Sequence, residues 1–234
     1  MRMNRVLTAG EIFQLFQNKG YSKLNPEKIR KRLLARKQKE EDIELSLKLM
    51  ACIAVFNEEV FHSSNDVIFG FVPKKSKHGF MAGCLSGPRH GYEVFVEGLL
   101  EMVEHETQKI KLFLLSAEGE LDHSLLMSQE QFFVSVAVHE VRHEVQKSKG
   151  FRMFRPEHFE ATEGQVKHFI RLMKMIQEFD KELYEKQGKS KRFISQKMSP
   201  REFDARFIES LSRDRVYRGI SMEDLIGLAR LQPP

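Results

Sequence analysis

The stretch SQEQFFVSVAVHEVRHEVQKS, residues 128–148, decides the fold. Ser128 and Gln131 stand three positions apart, which is the spacing of a capping box at the start of a helix. An apolar run follows at residues 132–138 and continues the helical pattern into the core. We therefore predict a buried helix that contains residues 139–143, HEVRH.

Two histidines and a glutamate in this helix have the spacing of a metal site. His139 and His143 are four positions apart, or about 400° of helical rotation, so they project from nearly the same face. Two imidazoles suit a catalytic Zn²⁺, which takes three protein ligands and leaves one position for water. Glu140 can then take a proton from that water as general base. The alternative is that these histidines are ordinary half-buried side chains.

This motif resembles that of the zincin metallopeptidases. The metzincin branch continues with a glycine and a third histidine, but Gln146 and Lys149 occupy those positions and exclude it. Residues 200–207, PREFDARF, are similar to the glutamate helix of the gluzincin branch, as found in ImmA/IrrE-type peptidases. The resemblance implies a zincin-like domain, bound Zn²⁺, hydrolysis of a peptide bond in a peptide or protein substrate, and Glu202 as third ligand.

Several residues near the motif leave alternatives open. Ser199 would place Glu202 at the third position of a capped helix, where a glutamate is favoured without any metal. Glu160 and Glu163 are rival third ligands. Asp204 is expected to orient a metal-bound imidazole through its N–H group.

Arg142 departs from the zincin pattern, which has uncharged residues around the motif. We expect its guanidinium either to face solvent or to pair with an acid such as Glu106 or Glu209. Neither arrangement would prevent metal binding.

The rest of the chain predicts an α+β fold that is mostly helical, with a small sheet of three or four strands. A first helix should end at Gly20, and a long helical region at residues 26–61 should contain a break within residues 36–42. Residues 67–72 and 80–84 are predicted to pair as a hairpin, and residues 92–96 to form an edge strand.

The domain prediction divides the chain into three parts. Residues 1–62 form an N-terminal helical region, residues 63–211 the zincin-like domain, and residues 212–234 a C-terminal helical tail. An inserted helix near residues 157–187 would return the chain to the metal site.

The amino-acid composition bears on the cellular location and on the partners of the protein. The sequence has only two cysteines and neither a secretion signal nor a membrane-spanning run, which predicts a cytoplasmic protein without disulfides and with no membrane partner. The net charge of +5 is concentrated partly in residues 28–39, so the N-terminal helices are candidates for binding nucleic acid.

Two other functions compete with peptide hydrolysis. One is a non-catalytic helical module that binds nucleic acid or protein and carries a structural or degenerate histidine motif. The other is hydrolysis of a different carbonyl compound by the same zinc chemistry. The sequence does not predict an oligomeric state.

Overall fold

The computed structural model describes residues 5–62, 67–76, 81–85, 91–110, 128–148, 181, 185–186, 188 and 199–231. In this part of the chain the helices are α1 (Ala9–Leu24), α2 (Pro26–Leu34), α3 (Glu40–Phe61), α4 (Leu99–Ile110), α5 (Gln129–Ser148), α6 (Pro200–Arg218) and α7 (Met222–Arg230). The strands are β1 (Val6–Leu7), β2 (Ile68–Val72), β3 (Ala82–Cys84), β4 (Gly91–Phe95) and β5 (Ile220–Ser221). The α+β class with a helical majority is confirmed.

Helix α1 is longer than predicted, because Gly20 does not end it. The helix runs on to Leu24, and Gly20 lies where α1 crosses α3. A Cβ atom at Gly20 would stand 2.6 Å from the Cβ of Ala51, a distance that real Cβ atoms do not reach. The glycine is therefore explained by close helix packing, and the turn follows at Asn25, whose φ is 51°.

The predicted break in the next helical region is confirmed at residues 35–39, between α2 and α3. Asn25 caps α2 by accepting a hydrogen bond from the backbone of Lys28 at 3.4 Å. Arg30 pairs across the break with Glu40 and Glu44 of α3. That the basic α1–α2 region binds nucleic acid stays a prediction.

The strand order corrects two predictions about the sheet. β2 and β3 do not form a hairpin, because β4 lies between them, parallel to β2 and antiparallel to β3. Residues 92–96 are therefore not an edge strand, and β3 occupies one end of this three-stranded sheet. Tyr92 and Val94 of β4 are fully buried, as a central strand requires, and Gly91 lets the backbone of Ile68 approach closely.

A second, two-stranded sheet joins the ends of the described chain. β1 and β5 pair antiparallel, with Val6 opposite Ser221 and Leu7 opposite Ile220. Ser221 also caps α7 by accepting a hydrogen bond from the backbone of Asp224 at 3.1 Å.

Helix α5 lies at the centre of the molecule and starts as predicted. Ser128 and Gln131 form the capping box, with hydrogen bonds of 2.9 and 3.3 Å. The helix packs on α1 and α3 on one side and on α6 and α7 on another, and Phe133 stacks on Phe13 of α1 with 6.2 Å between ring centroids. Among the described helices none is long and apolar enough to cross a bilayer.

The domain boundaries at residues 62 and 211 stay predictions. Helix α6 continues through residue 211, and one hydrophobic cluster includes residues from α1, α3, α5, α6 and α7. The predicted inserted helix at 157–187 falls almost entirely outside the described residues.

Candidate metal centre

The two histidines of α5 meet as their spacing predicts. Nε2 of His139 lies 3.1 Å from Nε2 of His143, and the two rings are nearly perpendicular at a centroid distance of 4.7 Å. Both side chains are largely buried, with 13% and 22% of their surface exposed. Two nitrogen atoms thus converge on one point at the edge of the core.

Helix α6 brings Glu202 to the same point. One carboxylate oxygen of Glu202 lies 3.6 Å from Nε2 of His139, and the other lies 3.3 Å from Nε2 of His143. Ligand atoms of all three residues lie within 4.8 Å of one another. The structure therefore assembles the predicted set of metal-ligating residues, whereas the rival glutamates Glu160 and Glu163 lie outside the described residues.

The two competing interpretations of Glu202 turn out to be compatible. Ser199 caps α6 through a hydrogen bond from the backbone N–H of Glu202 at 3.2 Å, so the cap uses the main chain. The carboxylate turns to the histidines instead, and Nε of Arg206 donates at 3.1 Å to Oε1, the oxygen that lies nearer His139. One residue can therefore serve both the cap and the metal site.

The spacing of these atoms fits a small tetrahedral ion. Donors about 2.0–2.2 Å from such an ion lie roughly 3.3–3.6 Å apart. The two imidazole nitrogens are 3.1 Å apart, and each lies 3.3 or 3.6 Å from a different oxygen of Glu202, so all three separations are close to that range. Two imidazoles and one carboxylate could therefore hold a metal ion, and a tetrahedral ion with three protein ligands has a fourth position for water.

Glu140 is buried beside this cluster, with 6% of its surface exposed. Burial raises the pKa of its carboxyl group, although the neighbouring histidines oppose the shift. Its Oε2 atom has no hydrogen-bond partner in the described part of the protein. A buried oxygen without a partner costs about 1–3 kcal/mol, so this atom is well suited to receive a proton or a hydrogen bond from a bound ligand.

His139 is oriented by Glu209, a second glutamate of α6 that was not predicted as part of the site. Oε2 of Glu209 lies 2.9 Å from Nδ1 of His139, and Arg213 pairs with the same carboxylate. Burial alone would lower the pKa of His139, but Glu202 and Glu209 outweigh it and raise the pKa to about 9. The two carboxylates therefore favour the positively charged form of this imidazole.

The positive charge of Arg213 keeps the Glu209 carboxylate ionised. Burial would raise the pKa of the Glu209 carboxyl, yet the guanidinium and the contact with His139 lower it to about 2. The helical spacing contains a signal for this role, since Glu209 lies seven residues after Glu202 and hence on the same face of α6.

His143 is oriented by Gln146, not directly by Asp204. Nδ1 of His143 lies 3.0 Å from Oε1 of Gln146, one turn further along α5. Asp204 accepts a hydrogen bond from Nε2 of that amide at 2.6 Å. The prediction that Asp204 contacts an imidazole N–H is therefore wrong, because the longer amide side chain stands between them.

Arg142 is buried and pairs with Asp204, an acid that the sequence did not predict as its partner, while the side chain of Glu106 lies outside the described part of the protein. Its Nε and Nη2 atoms donate to the two oxygens of Asp204 at 2.7 and 3.1 Å. Only 2% of Arg142 is exposed. The departure from the zincin pattern thus introduces a charge that is paired inside the α5–α6 interface.

The edge strand β3 lies beside α5, the helix that carries both histidines. The thiol of Cys84 donates to Oε2 of Glu144 at 2.9 Å, and Lys147 donates to the carbonyl of Leu85 at 3.2 Å. Glu144 follows Glu140 by one turn on the same helix face. The end of the sheet is therefore anchored along the side of α5 that carries Glu140.

Comparisons of the chain with protein-family models, with curated proteins and with solved structures yield no match.

Proposed function

We propose that this protein is a zinc-dependent peptidase. The observation that carries the proposal is the convergence of His139 and His143 from α5 with Glu202 from α6, beside a buried oxygen of Glu140 that has no hydrogen-bond partner among the described residues. A purely structural histidine pair would not require a carboxylate from a second helix and a buried glutamate at the same point.

Zinc is the ion that this donor set fits best. Two imidazole nitrogens and one carboxylate oxygen are a frequent protein ligand set of catalytic zinc, whereas calcium and magnesium prefer oxygen donors. A zinc ion in this position would polarise a carbonyl group and lower the pKa of a bound water to about 7. Zincin-like chemistry is thereby supported by the donor types as well as by the motif.

Other residues of the chain would transfer the proton and orient the metal ligands. Glu140 accepts the proton of the attacking water and passes it to the leaving amine, and its raised pKa favours that exchange near neutral pH. Glu209 holds the imidazole of His139 in place. Arg206 holds one oxygen of Glu202 and so restricts the orientation of that carboxylate.

The sheet suggests how a substrate would lie. An extended peptide can add to an edge strand through main-chain hydrogen bonds, and β3 is an edge strand of the described sheet and contacts α5. The strand proposed for docking is therefore β3 and not the strand at residues 92–96. Because backbone pairing reads no side chains, it supports a peptide or unfolded protein segment as the substrate class.

Glu140→Gln tests the proposal most sharply. We expect this variant to bind zinc like the wild type but to cleave a mixture of unstructured peptides about 10²–10⁴-fold more slowly, since it lacks the general base. Cleavage is followed by mass spectrometry, with Glu144→Gln as the matched control one turn away. Equal cleavage by wild type and Glu140→Gln would rule out this mechanism.

A further inference from the structure

We propose that Arg142, the charged residue inside the HEVRH motif, is a positioning residue for the metal site, acting on His143 through Asp204 and Gln146. This inference rests on the proposed metal site but not on the identity of the substrate. It assigns a role to the residue in which the motif departs from the zincin pattern.

The chain of contacts fixes the direction of every hydrogen bond in it. Nε2 of Gln146 lies 2.9 Å from the carbonyl oxygen of Arg201 and 2.6 Å from Oδ2 of Asp204. A carbonyl and a carboxylate only accept, so the NH₂ group of the amide must face them. Oε1 of Gln146 must then face His143.

That orientation determines the tautomer of His143. Since Oε1 of Gln146 can only accept, Nδ1 of His143, at 3.0 Å, must carry the hydrogen. Nε2 is then the ring nitrogen that remains to bind a metal ion, and it is the one that faces His139 and Glu202. An imidazole held through Nδ1 presents Nε2 to the metal without having to rotate.

Arg142 is what holds Asp204 in this geometry. Its two-point contact fixes both carboxylate oxygens, so Oδ2 points at Gln146. The third guanidinium nitrogen, Nη1, donates to the carbonyl oxygens of Ala229, at 3.0 Å, and Leu231 at the end of α7. Arg142 is thereby anchored on two helices and cannot turn without breaking several hydrogen bonds.

Nδ1 of each histidine faces a hydrogen-bond acceptor, but the two acceptors are of different kinds. His139 faces a carboxylate that Arg213 holds, and a carboxylate is an acceptor in either orientation. His143 faces an amide, which offers an acceptor in one orientation and a donor in the other. Only His143 therefore depends on a partner network that selects the orientation.

The experiment compares zinc affinity and zinc release in folded variants. Gln146→Leu removes the acceptor, and Arg142→Leu combined with Asp204→Leu removes the network without leaving an unpaired charge. Gln131→Leu is the matched control, because it makes the same change on the same helix, at the cap. Circular dichroism verifies folding, and the visible spectrum of the cobalt-loaded protein reports the ligand geometry.

We expect both network variants to bind zinc about 10–100-fold more weakly, to release it faster and to shift the cobalt spectrum, while Gln131→Leu does none of these. Adding Gln146→Leu to the double variant should cause a smaller further loss than Gln146→Leu causes in the wild type, because both changes act on the same contact to His143. Unchanged zinc affinity in the folded double variant would overturn the inference alone. Failure of the wild type to bind zinc would instead overturn the metal site on which it rests.

Discussion

Helix α5 has two sides that differ in chemistry and in what they can be expected to do. Toward α1 it presents aromatic packing, with Phe133 fully buried and stacked on Phe13. Toward α6 it presents His139, Arg142 and Gln146, which are joined to that helix by hydrogen bonds and ion pairs. The apolar side supplies stability, and the polar side positions the candidate site.

The difference matters because the contribution of a buried polar interface to the free energy of folding does not by itself explain why the interface is present. A buried ion pair such as Arg142–Asp204 contributes little net stability compared with apolar packing, since both charges lose their hydration. The same pair can orient neighbouring groups, which apolar contacts do only loosely. Variants on the two sides of α5 should therefore affect different measurements.

The largest effect on stability is expected from Phe133→Ala. Truncating a fully buried phenylalanine removes its contacts with Phe13 and Phe132 and leaves a cavity, at a cost of about 3–5 kcal/mol. Unfolding in urea measures the loss, and the folded fraction should still bind zinc. Leu34→Ala, at a residue 46% exposed, is the control and should change stability by less than about 0.5 kcal/mol. Loss of zinc from folded Phe133→Ala would show that the two sides of α5 do not have separate roles.

A smaller effect, on metal binding, is expected from Glu209→Gln. The variant keeps the shape of the side chain but replaces the carboxylate that accepts from His139, so zinc affinity should fall about 10–100-fold. Competition with a chromophoric chelator measures the affinity. Glu223→Gln, an exposed carboxylate on α7, should leave it unchanged. Equal affinities in the two variants would show that Glu209 only pairs with Arg213.

How much of this was predictable depends on whether a feature is local in sequence. The capping box at Ser128 and the meeting of His139 with His143 follow from helix geometry alone, and both were confirmed. The order of the strands was not predicted correctly, because pairing between distant segments depends on which strand the core buries on both faces. Tyr92 and Val94 make that strand β4.

The polar contacts of α6 show the same limit. Glu202 was found through a resemblance, but the role of Glu209 requires knowing how α6 is rotated against α5. The exchange of partners between Asp204 and Gln146 depends on side-chain length across that interface. Neither the role of Glu209 nor this exchange of partners follows from the spacing of residues along one helix.

The smallest effect is expected from Ser199→Ala, which separates the two roles of Glu202. Losing the cap of α6 should cost about 1 kcal/mol of stability, while the carboxylate of Glu202 still faces the histidines. Thermal unfolding and zinc affinity are measured on the same samples. A loss of zinc as large as in Glu202→Ala would mean that the cap, and not the carboxylate alone, determines the site.

The most direct measurement is the metal content of the purified protein after dialysis against zinc and then against metal-free buffer. Wild type should retain one zinc per chain, and His143→Ala and Glu202→Ala should retain none while remaining folded by circular dichroism, because each loses one of three ligands. A folded wild-type protein that retains no metal, or a Glu202→Ala variant that binds zinc as tightly as wild type, would contradict the site described for α5 and α6.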